Sequence, residues 1–214
     1  MKDDLKDYRG KELKSYAISL GIIIYIIVTD ELEVSKIDEL MCVADSVLVA
    51  SVITSLIYIF DGLLDTKVKN IINLIFKIPG DYVFSKLIPS AKDYRIDLKK
   101  AKEKYKKIYS KLEEGKKTNI HFENESWYKI YKKYEEIPMV KVSQREYLLL
   151  RDMSVVNCLM LLVYIALVIF KFVKFNFGAG ILILGLYVLT IIGANIKARK
   201  LCLNVIAQDL SAQD

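Results

Sequence analysis

The sequence has few of the residue types on which metal sites and redox sites depend. Its only histidine, His121, lies in a polar stretch and lacks the second ligand four residues later that a helical zinc protease motif requires. The three cysteines, Cys42, Cys158 and Cys202, stand in or beside apolar stretches at spacings that match neither a zinc site nor a CxxC redox pair. We therefore predict no metal site and no cofactor.

Familiar catalytic and targeting motifs are missing as well. The chain has no Gly-rich phosphate loop, no G-x-S-x-G elbow and no acidic pair in a recognisable catalytic context. No small-residue cleavage site follows the first apolar stretch, so we interpret that stretch as a retained helix and not as a signal peptide. No segment alternates in polarity as a half-buried strand does. These absences predict an all-α protein that is not an enzyme and has no catalytic residues.

Apolar and charged residues, by contrast, are both abundant and are separated along the chain. The sequence is 53% hydrophobic and 27% charged. Apolar residues concentrate in four blocks, at 15–29, 40–64, 153–170 and 177–196. This segregation is typical of proteins that cross a bilayer. It predicts an all-α integral membrane protein with four transmembrane helices arranged as two hairpins, and an α-helical cytoplasmic domain between helices two and three. The expected domains are 1–64, 65–151, 152–196 and 197–214.

The distribution of basic residues predicts the orientation. Residues 1–14 contain five basic side chains, whereas the loop at 30–40 has one lysine against five acidic residues. The stretch 65–151 carries 21 basic and 12 acidic residues, a net charge of +9. Because lysine and arginine are retained on the cytoplasmic side, both termini and the central domain are expected in the cytoplasm. The basic excess has alternative meanings: ordinary positive-inside bias, contact with anionic lipid, or a phosphate-rich ligand.

Two patterns describe the first part of the central domain. Within 65–90, Pro79 and Gly80 predict a turn between two short amphipathic pieces that lie on the inner leaflet or pack on the domain. An apolar seam then recurs in steps of three and four residues, which predicts one helix. The seam can pack within the subunit or against a neighbouring subunit, and its members are Leu98, Ala101, Tyr105, Ile108 and Leu112.

The second part of the domain leads into the membrane. An aromatic stripe of Trp127, Tyr131 and Tyr134 ends before Pro138 and serves either as core or as a stacking surface for bases. Ser143 and Glu146 have the spacing of a capping box, which predicts a helix that starts there and runs unbroken to residue 170. The fourth apolar helix is expected to continue past residue 196, with an apolar side formed by Leu203, Ile206 and Leu210.

Two sets of residues are candidates for function. Dispersed cations and an aromatic side chain can bind phosphates and bases, and the predicted ligand-binding residues are Arg95, Lys99, Lys102, Lys106, Trp127 and Arg145. Hydroxyl and carboxylate side chains in the second apolar block are typical of a pore, and the predicted pore-lining residues are Ser46, Ser51, Thr54, Ser55 and Asp61. Asp61 has an alternative interpretation as a cap at the membrane interface.

Four short segments resemble a family of small bacterial multi-span proteins encoded in anti-phage defence islands. They are DYRID at 93–97, NESWYKIY at 124–131, YLLLRD at 147–152 and NVIAQD at 204–209. The resemblance implies a membrane effector partnered with a nucleotidyltransferase, as in CBASS-like systems or the Hailong system. In such systems an oligodeoxyadenylate or cyclic nucleotide signal controls a membrane channel.

Composition predicts a multi-pass membrane protein, and the resemblance implies an anti-phage effector in the bacterial inner membrane. It forms a homo-oligomeric ion channel or pore, expected to be a tetramer, because two hairpins of this size cannot enclose a water-filled path alone. A nucleotide or oligonucleotide bound to the cytoplasmic domain controls it. The alternative is a membrane-anchored interaction protein that recruits a soluble defence enzyme to the inner leaflet.

Overall fold

The computed structural model describes residues 2–29, 62–73, 79–113 and 121–212. Its α-helices are α1 (Lys2–Thr29), α2 (Thr66–Ile72), α3 (Leu98–Lys104), α4 (Lys106–Glu113), α5 (Phe122–Tyr134), α6 (Pro138–Ile169) and α7 (Phe177–Ser211). A 3₁₀ turn at Pro79–Tyr82 and a π turn at Val83–Leu87 connect α2 to the later helices. Across these ranges every regular element is helical and none is a strand, which confirms the all-α prediction for this part of the chain.

The chain divides into two compact units. The first unit comprises Met1–Leu74 and Leu148–Gly193, and the second comprises Ile75–Tyr147 and Ala194–Asp214. Helices α6 and α7 each contain residues of both units without interruption.

In the first unit, α6 and α7 form an antiparallel pair. Asn157 of α6 donates to the Thr190 hydroxyl of α7 at 3.1 Å, and Asn157 also accepts from the Tyr16 hydroxyl of α1 at 2.8 Å. The Tyr164 hydroxyl donates to the Asn176 carbonyl at 2.8 Å and accepts from its backbone N–H at 2.7 Å, which fixes the turn between the two helices. The second predicted hairpin is therefore present as α6 and α7.

Two helices of the described part, α6 and α7, are long and apolar enough to cross a membrane. In their most apolar 18-residue windows, 39% and 22% of residues are buried, whereas the core helix of a soluble protein is mostly buried. The first predicted block is helical within α1, and the second lies outside the described residues up to position 61. Membrane crossing by these two blocks remains a prediction, and so does the arrangement of four spans.

The first unit has an apolar core, which includes Val156, Met160 and Ile183, and it buries several polar side chains as well. The side chains of Asn73 and Asp152 are completely buried. By contrast, Ile71 on α2 is 64% exposed and Leu189 on α7 is 65% exposed. Exposed apolar area is unfavourable in water. The exposed apolar side chains of α7 are in keeping with a helix that is long and apolar enough to cross a membrane.

The second unit has an ordinary hydrophobic core. Val83, Phe84 and Ile88 from the segment after the 3₁₀ turn are completely buried, as are Val205 and Ile206 of α7. Of the two alternatives for residues 65–90, residues 83–88 thus pack on the domain. The apolar side predicted for the end of α7 contributes to the same core, since Ile206 and Leu210 are buried and Leu203 packs against them.

The aromatic stripe of α5 belongs to this core. Trp127 and Tyr131 are buried, and their rings stack with centroids 5.4 Å apart. Tyr134 is partly buried and packs against the same cluster. The structure thus places the stripe in the core, where the ring faces are not an open surface for bases.

The single helix predicted over the apolar seam is wrong, because the structure has two helices, α3 and α4, with a break at Tyr105. Tyr105 is the C-cap of α3, with φ −99° and ψ 22°. Its buried ring contacts Phe84 edge to face at 5.2 Å, and its hydroxyl donates to the Asp209 carboxylate at 2.7 Å. The seam itself packs within the chain, as Ala101 and Tyr105 are buried in the core of the second unit.

The helix start predicted at Ser143 is also wrong. Helix α6 begins at Pro138, which suits the first helical position because proline lacks an N–H and that position needs no donor. Ser143 lies one turn inside the helix, and its hydroxyl donates to the Met139 carbonyl at 2.9 Å. The predicted continuity is confirmed, since α6 runs unbroken to Ile169.

Candidate functional site

The second unit contains an open cleft of about 500 Å³. Its polar lining comes from a loop, from α6 and from α7, and its apolar lining comes from the first turns of α6. The lining residues are Arg95, Pro138, Met139, Val142, Ser143, Glu146, Lys200 and Asn204. An open cleft with an apolar wall and a few converging polar groups is a candidate small-molecule site.

A local turn positions Arg95 in the cleft. The backbone N–H of Ile96 donates to the Asp93 carbonyl at 3.0 Å, and the N–H of Arg95 donates to the Asp93 carboxylate at 3.1 Å. Asp97 then caps α3, since its carboxylate accepts from the N–H of Lys99 at 2.7 Å. The DYRID sequence therefore forms an Asx-type turn followed by a helix cap, and Arg95 projects from it.

The guanidinium of Arg95 is held on two sides. Its Nη2 donates to the Asp93 carboxylate at 2.6 Å and to the Asn204 side-chain oxygen at 2.8 Å. Asn204 in turn donates to the Ser143 hydroxyl at 2.6 Å. The Arg95 side chain is 34% exposed, and its orientation is fixed by a network that joins the loop, α6 and α7. Such preorganisation reduces the entropy lost when a ligand binds.

Charged side chains of both signs line or adjoin the cleft. The hydrogen bond from Arg95 lowers the pKa of Asp93, and the same bond raises the pKa of Arg95, so both groups stay charged at neutral pH. Glu146 pairs with Lys197 at 2.8 Å, and Lys200 lines the cleft one turn of helix farther along α7. Arg95 and Lys200 thus provide positive charge to an anionic ligand.

The six residues predicted to bind ligand do not all lie together. Of these six, only Arg95 lines the cleft. Lys99, Lys102 and Lys106 are exposed on α3 and α4. Trp127 is buried, and its indole N–H donates to the Cys202 carbonyl at 3.4 Å. Arg145 is half-buried on α6. The predicted pore-lining residues, Ser46, Ser51, Thr54, Ser55 and Asp61, lie outside the described residues.

Sequence reasoning missed several members of the cleft. The sequence gives Lys200 no role beyond the basic charge of residues 197–200, and the capping-box spacing predicts Ser143 to be a helix cap. Asn204 belongs to the NVIAQD segment, one of four quoted for the resemblance. DYRID and NVIAQD both carry the resemblance, and the structure joins these two segments through the hydrogen bond from Arg95 to Asn204. Spacing alone gives no reason to pair positions 109 residues apart.

Within the part of the chain that the structure describes, no three metal-ligating side chains of His, Cys, Asp or Glu come together. No protein-family model, curated protein or solved structure matches this chain. The features of the chain that bear on function are the cleft, the two long apolar helices and the basic charge of the second unit.

Proposed function

We propose that this protein is a membrane effector: a homo-oligomeric ion channel or pore controlled by a nucleotide or oligonucleotide bound to its cytoplasmic second unit. The observation that carries the proposal is the continuity of α6 and α7. Each helix contains residues of the first unit, which exposes many apolar side chains, and residues of the basic second unit, which has the cleft. A change at the cleft can thus act on the membrane part through unbroken helix.

The cleft supports a ligand that combines an anionic group with a flat apolar group. Arg95 and Lys200 suit a phosphate, because charge-assisted hydrogen bonds from guanidinium and ammonium groups to phosphate oxygens are strong. Pro138, Met139 and Val142 form an apolar wall on which a base can lie. A nucleotide has both parts, and its phosphate would compete with Asp93 for the guanidinium of Arg95.

Ion flux tests the effector function. Purified protein in liposomes is expected to release an entrapped ion, and the flux is expected to change when oligodeoxyadenylates or cyclic dinucleotides are added. An oligomer, with a tetramer as the first expectation, would be checked by native mass spectrometry in detergent. Binding without any flux contradicts the channel and leaves the recruitment of a soluble defence enzyme as the better account.

Paired charge removal tests the cleft. The double variant Arg95→Gln and Lys200→Gln is expected to weaken binding of the same ligands by roughly 10- to 100-fold or more, because charge-assisted hydrogen bonds are lost. The matched control, Lys99→Gln with Lys102→Gln, removes the same formal charge from the exposed face of α3 and should leave affinity within about threefold. If the control weakens binding as much as the cleft variant, or more, the ligand does not bind in the cleft.

The role in defence against phage rests on the resemblance of the four sequence segments, and it includes a partner nucleotidyltransferase. Its test is phage infection of bacterial cells that express the partner nucleotidyltransferase together with either the wild-type protein or the Arg95→Gln and Lys200→Gln variant. Loss of protection in the variant, with unchanged protein level in the membrane, is the expected outcome. Equal protection by both proteins contradicts a defence role for the cleft.

A further inference from the structure

The first unit buries an ionic cluster that the channel proposal does not use. Asp152 of α6 is completely buried, and its Oδ1 lies 3.1 Å from Nη2 of Arg151 and 3.9 Å from Nζ of Lys69 on α2. Lys69 and Arg151 are themselves less than a tenth exposed. Charges at such depth cost several kcal/mol to desolvate and persist only where their partners are well placed.

Neutral hydrogen bonds extend this cluster. The Asn73 amide donates to the Lys69 carbonyl at 2.8 Å and to the Arg151 carbonyl at 3.2 Å. Its oxygen accepts from the Ser154 hydroxyl at 2.6 Å. The five residues Lys69, Asn73, Arg151, Asp152 and Ser154 are called the junction cluster below. They bind the C-terminal end of α2 to α6, all within the first unit.

The junction cluster lies close in sequence to points where the chain passes from one unit to the other. The chain passes between the units after residues 74, 147 and 193. Asn73 directly precedes the first of these points, and Asp152 follows the second by five residues. Near the third, a Cβ at Gly193 would stand 3.1 Å from Cδ1 of Leu150, so α7 packs closely on α6 there. Contacts within the first unit thus lie close in sequence to each of these three points.

A further contact closes this arrangement. The Tyr187 hydroxyl of α7 donates to the Ile72 carbonyl at the end of α2, at 2.6 Å. Within the first unit, α2 thus contacts both α6 and α7, and α6 contacts α7. Ionic and hydrogen-bonded contacts of this kind hold or break as a whole, because a partly paired buried charge is strongly unfavourable.

We infer that the junction cluster is a coupling element: it holds the C-terminal end of α2 against the middle of α6, and ligand binding in the second unit acts on the membrane part by changing that contact. This inference rests on the proposed function, whose regulation it describes. Asp152 is the positioning residue at its centre, because its carboxylate faces both cations. None of the five residues of the junction cluster lines the cleft.

The test separates coupling from folding. Asp152→Asn keeps the shape of the side chain but removes its charge, and we expect ligand binding within about twofold of wild type together with loss of the ligand's effect on liposome flux. The matched control is Tyr16→Phe, which removes a hydrogen bond to Asn157 in the same unit but away from the points where the chain passes between the units. The control should retain the ligand effect. A ligand effect of wild-type size in Asp152→Asn, or its equal loss in Tyr16→Phe, overturns the inference.

Hydrogen exchange provides a second readout that needs no channel. The backbone N–H groups of Lys69 and Asn73 donate to Asp65 and Lys69 carbonyls, at 3.0 and 3.1 Å, and report the opening of α2. Asp152→Asn is expected to speed their exchange by about tenfold or more while amides of α3 remain as in wild type. Absence of flux from wild-type protein would overturn the proposed function. Hydrogen exchange would then still test whether the junction cluster holds α2. Unchanged exchange in α2 of Asp152→Asn overturns the inference.

Discussion

The carboxylate of Asp209 is a single side chain on which three elements of the second unit converge. It accepts hydrogen bonds from Tyr105 at 2.7 Å, from Tyr134 at 2.9 Å and from Lys104 at 3.0 Å. Burial by itself raises the pKa of Asp209, but these three hydrogen bonds outweigh it, so the pKa is lowered overall. Burial and the Asp209 carboxylate both raise the pKa of Tyr105, which keeps its hydroxyl protonated as a donor.

Asp209→Asn is therefore expected to destabilise the protein by roughly 2–4 kcal/mol at pH 7, because the charge is lost and the amide NH2 replaces one of the two accepting oxygens, so that it faces a donor. Since the folded pKa is lowered, the carboxylate stabilises the fold fully above its unfolded pKa of about 3.9, and this contribution is lost as the pH falls through the folded value. Thermal unfolding in detergent, followed by near-ultraviolet circular dichroism, measures both effects.

Tyr105→Phe is the matched variant for this network. It deletes one donor and keeps the ring, so the expected loss is smaller, about 1–2 kcal/mol. A difference between wild type and Asp209→Asn that stays constant from pH 7 to pH 3 would contradict the assignment of the effect to the ionised carboxylate.

At the scale of an element, the 3₁₀ turn at Pro79–Tyr82 depends on a close approach to α5. A Cβ at Gly80 would collide with the Asn124 side chain. Glu123, the preceding residue of α5, accepts from the backbone N–H groups of Phe84 and Ser85 at 2.8 and 2.9 Å. The start of α5 thus positions the segment that supplies Phe84 to the core.

Gly80→Ala is expected to destabilise the protein by about 1–3 kcal/mol, since the added methyl group must displace Asn124. Gly62→Ala is the control, because nothing lies within 4 Å of its Cβ position. The double variant Gly80→Ala with Asn124→Ala should recover part of the loss. Chemical denaturation of the three variants in detergent checks this, and equal effects at positions 62 and 80 would contradict the packing argument.

Helix boundaries show where local sequence is a sufficient guide and where it is not. The continuity of α6 and of α7 follows from good helix formers and from the absence of proline in their interiors, so the sequence predicted it. The break at Tyr105 does not follow from spacing, because the seam of apolar residues passes through it unchanged. It depends on where Phe84 and Asp209 place the ring and hydroxyl of Tyr105.

The orientation in the membrane is a property of the whole molecule and has a direct test. The exposed lysines chosen are Lys174, in the turn between α6 and α7, and Lys99, at the start of α3. With the native cysteines replaced by alanine, Lys174→Cys is expected to react with an impermeant maleimide in intact cells, and Lys99→Cys only after permeabilisation. The reverse pattern would place the cleft outside the cell and contradict control by a cytoplasmic nucleotide.

The sequence by itself determined the helical class, the two apolar helices of the second hairpin and the basic character of the intervening stretch. These properties depend on composition and on periodicity within a single segment, where neighbouring side chains share a helix face. The sequence also offered two alternatives for the aromatic stripe of α5 and two for the seam of α3 and α4. For the stripe and for the seam, the alternatives differ in the surface against which the side chains pack, and the local sequence pattern does not contain that information.

Only the tertiary structure decided those contacts. It placed Trp127 in the core, brought Arg95 to Asn204 and Lys200, and gathered Lys69 and Asp152 inside the first unit. Each of these pairings joins segments far apart in the chain, and a buried ion pair or cleft arises only when the helices that carry its members pack together. The physical reason is that burial and hydrogen-bond partnership are set by the neighbours in space, whereas helix formation is set largely by neighbours in sequence.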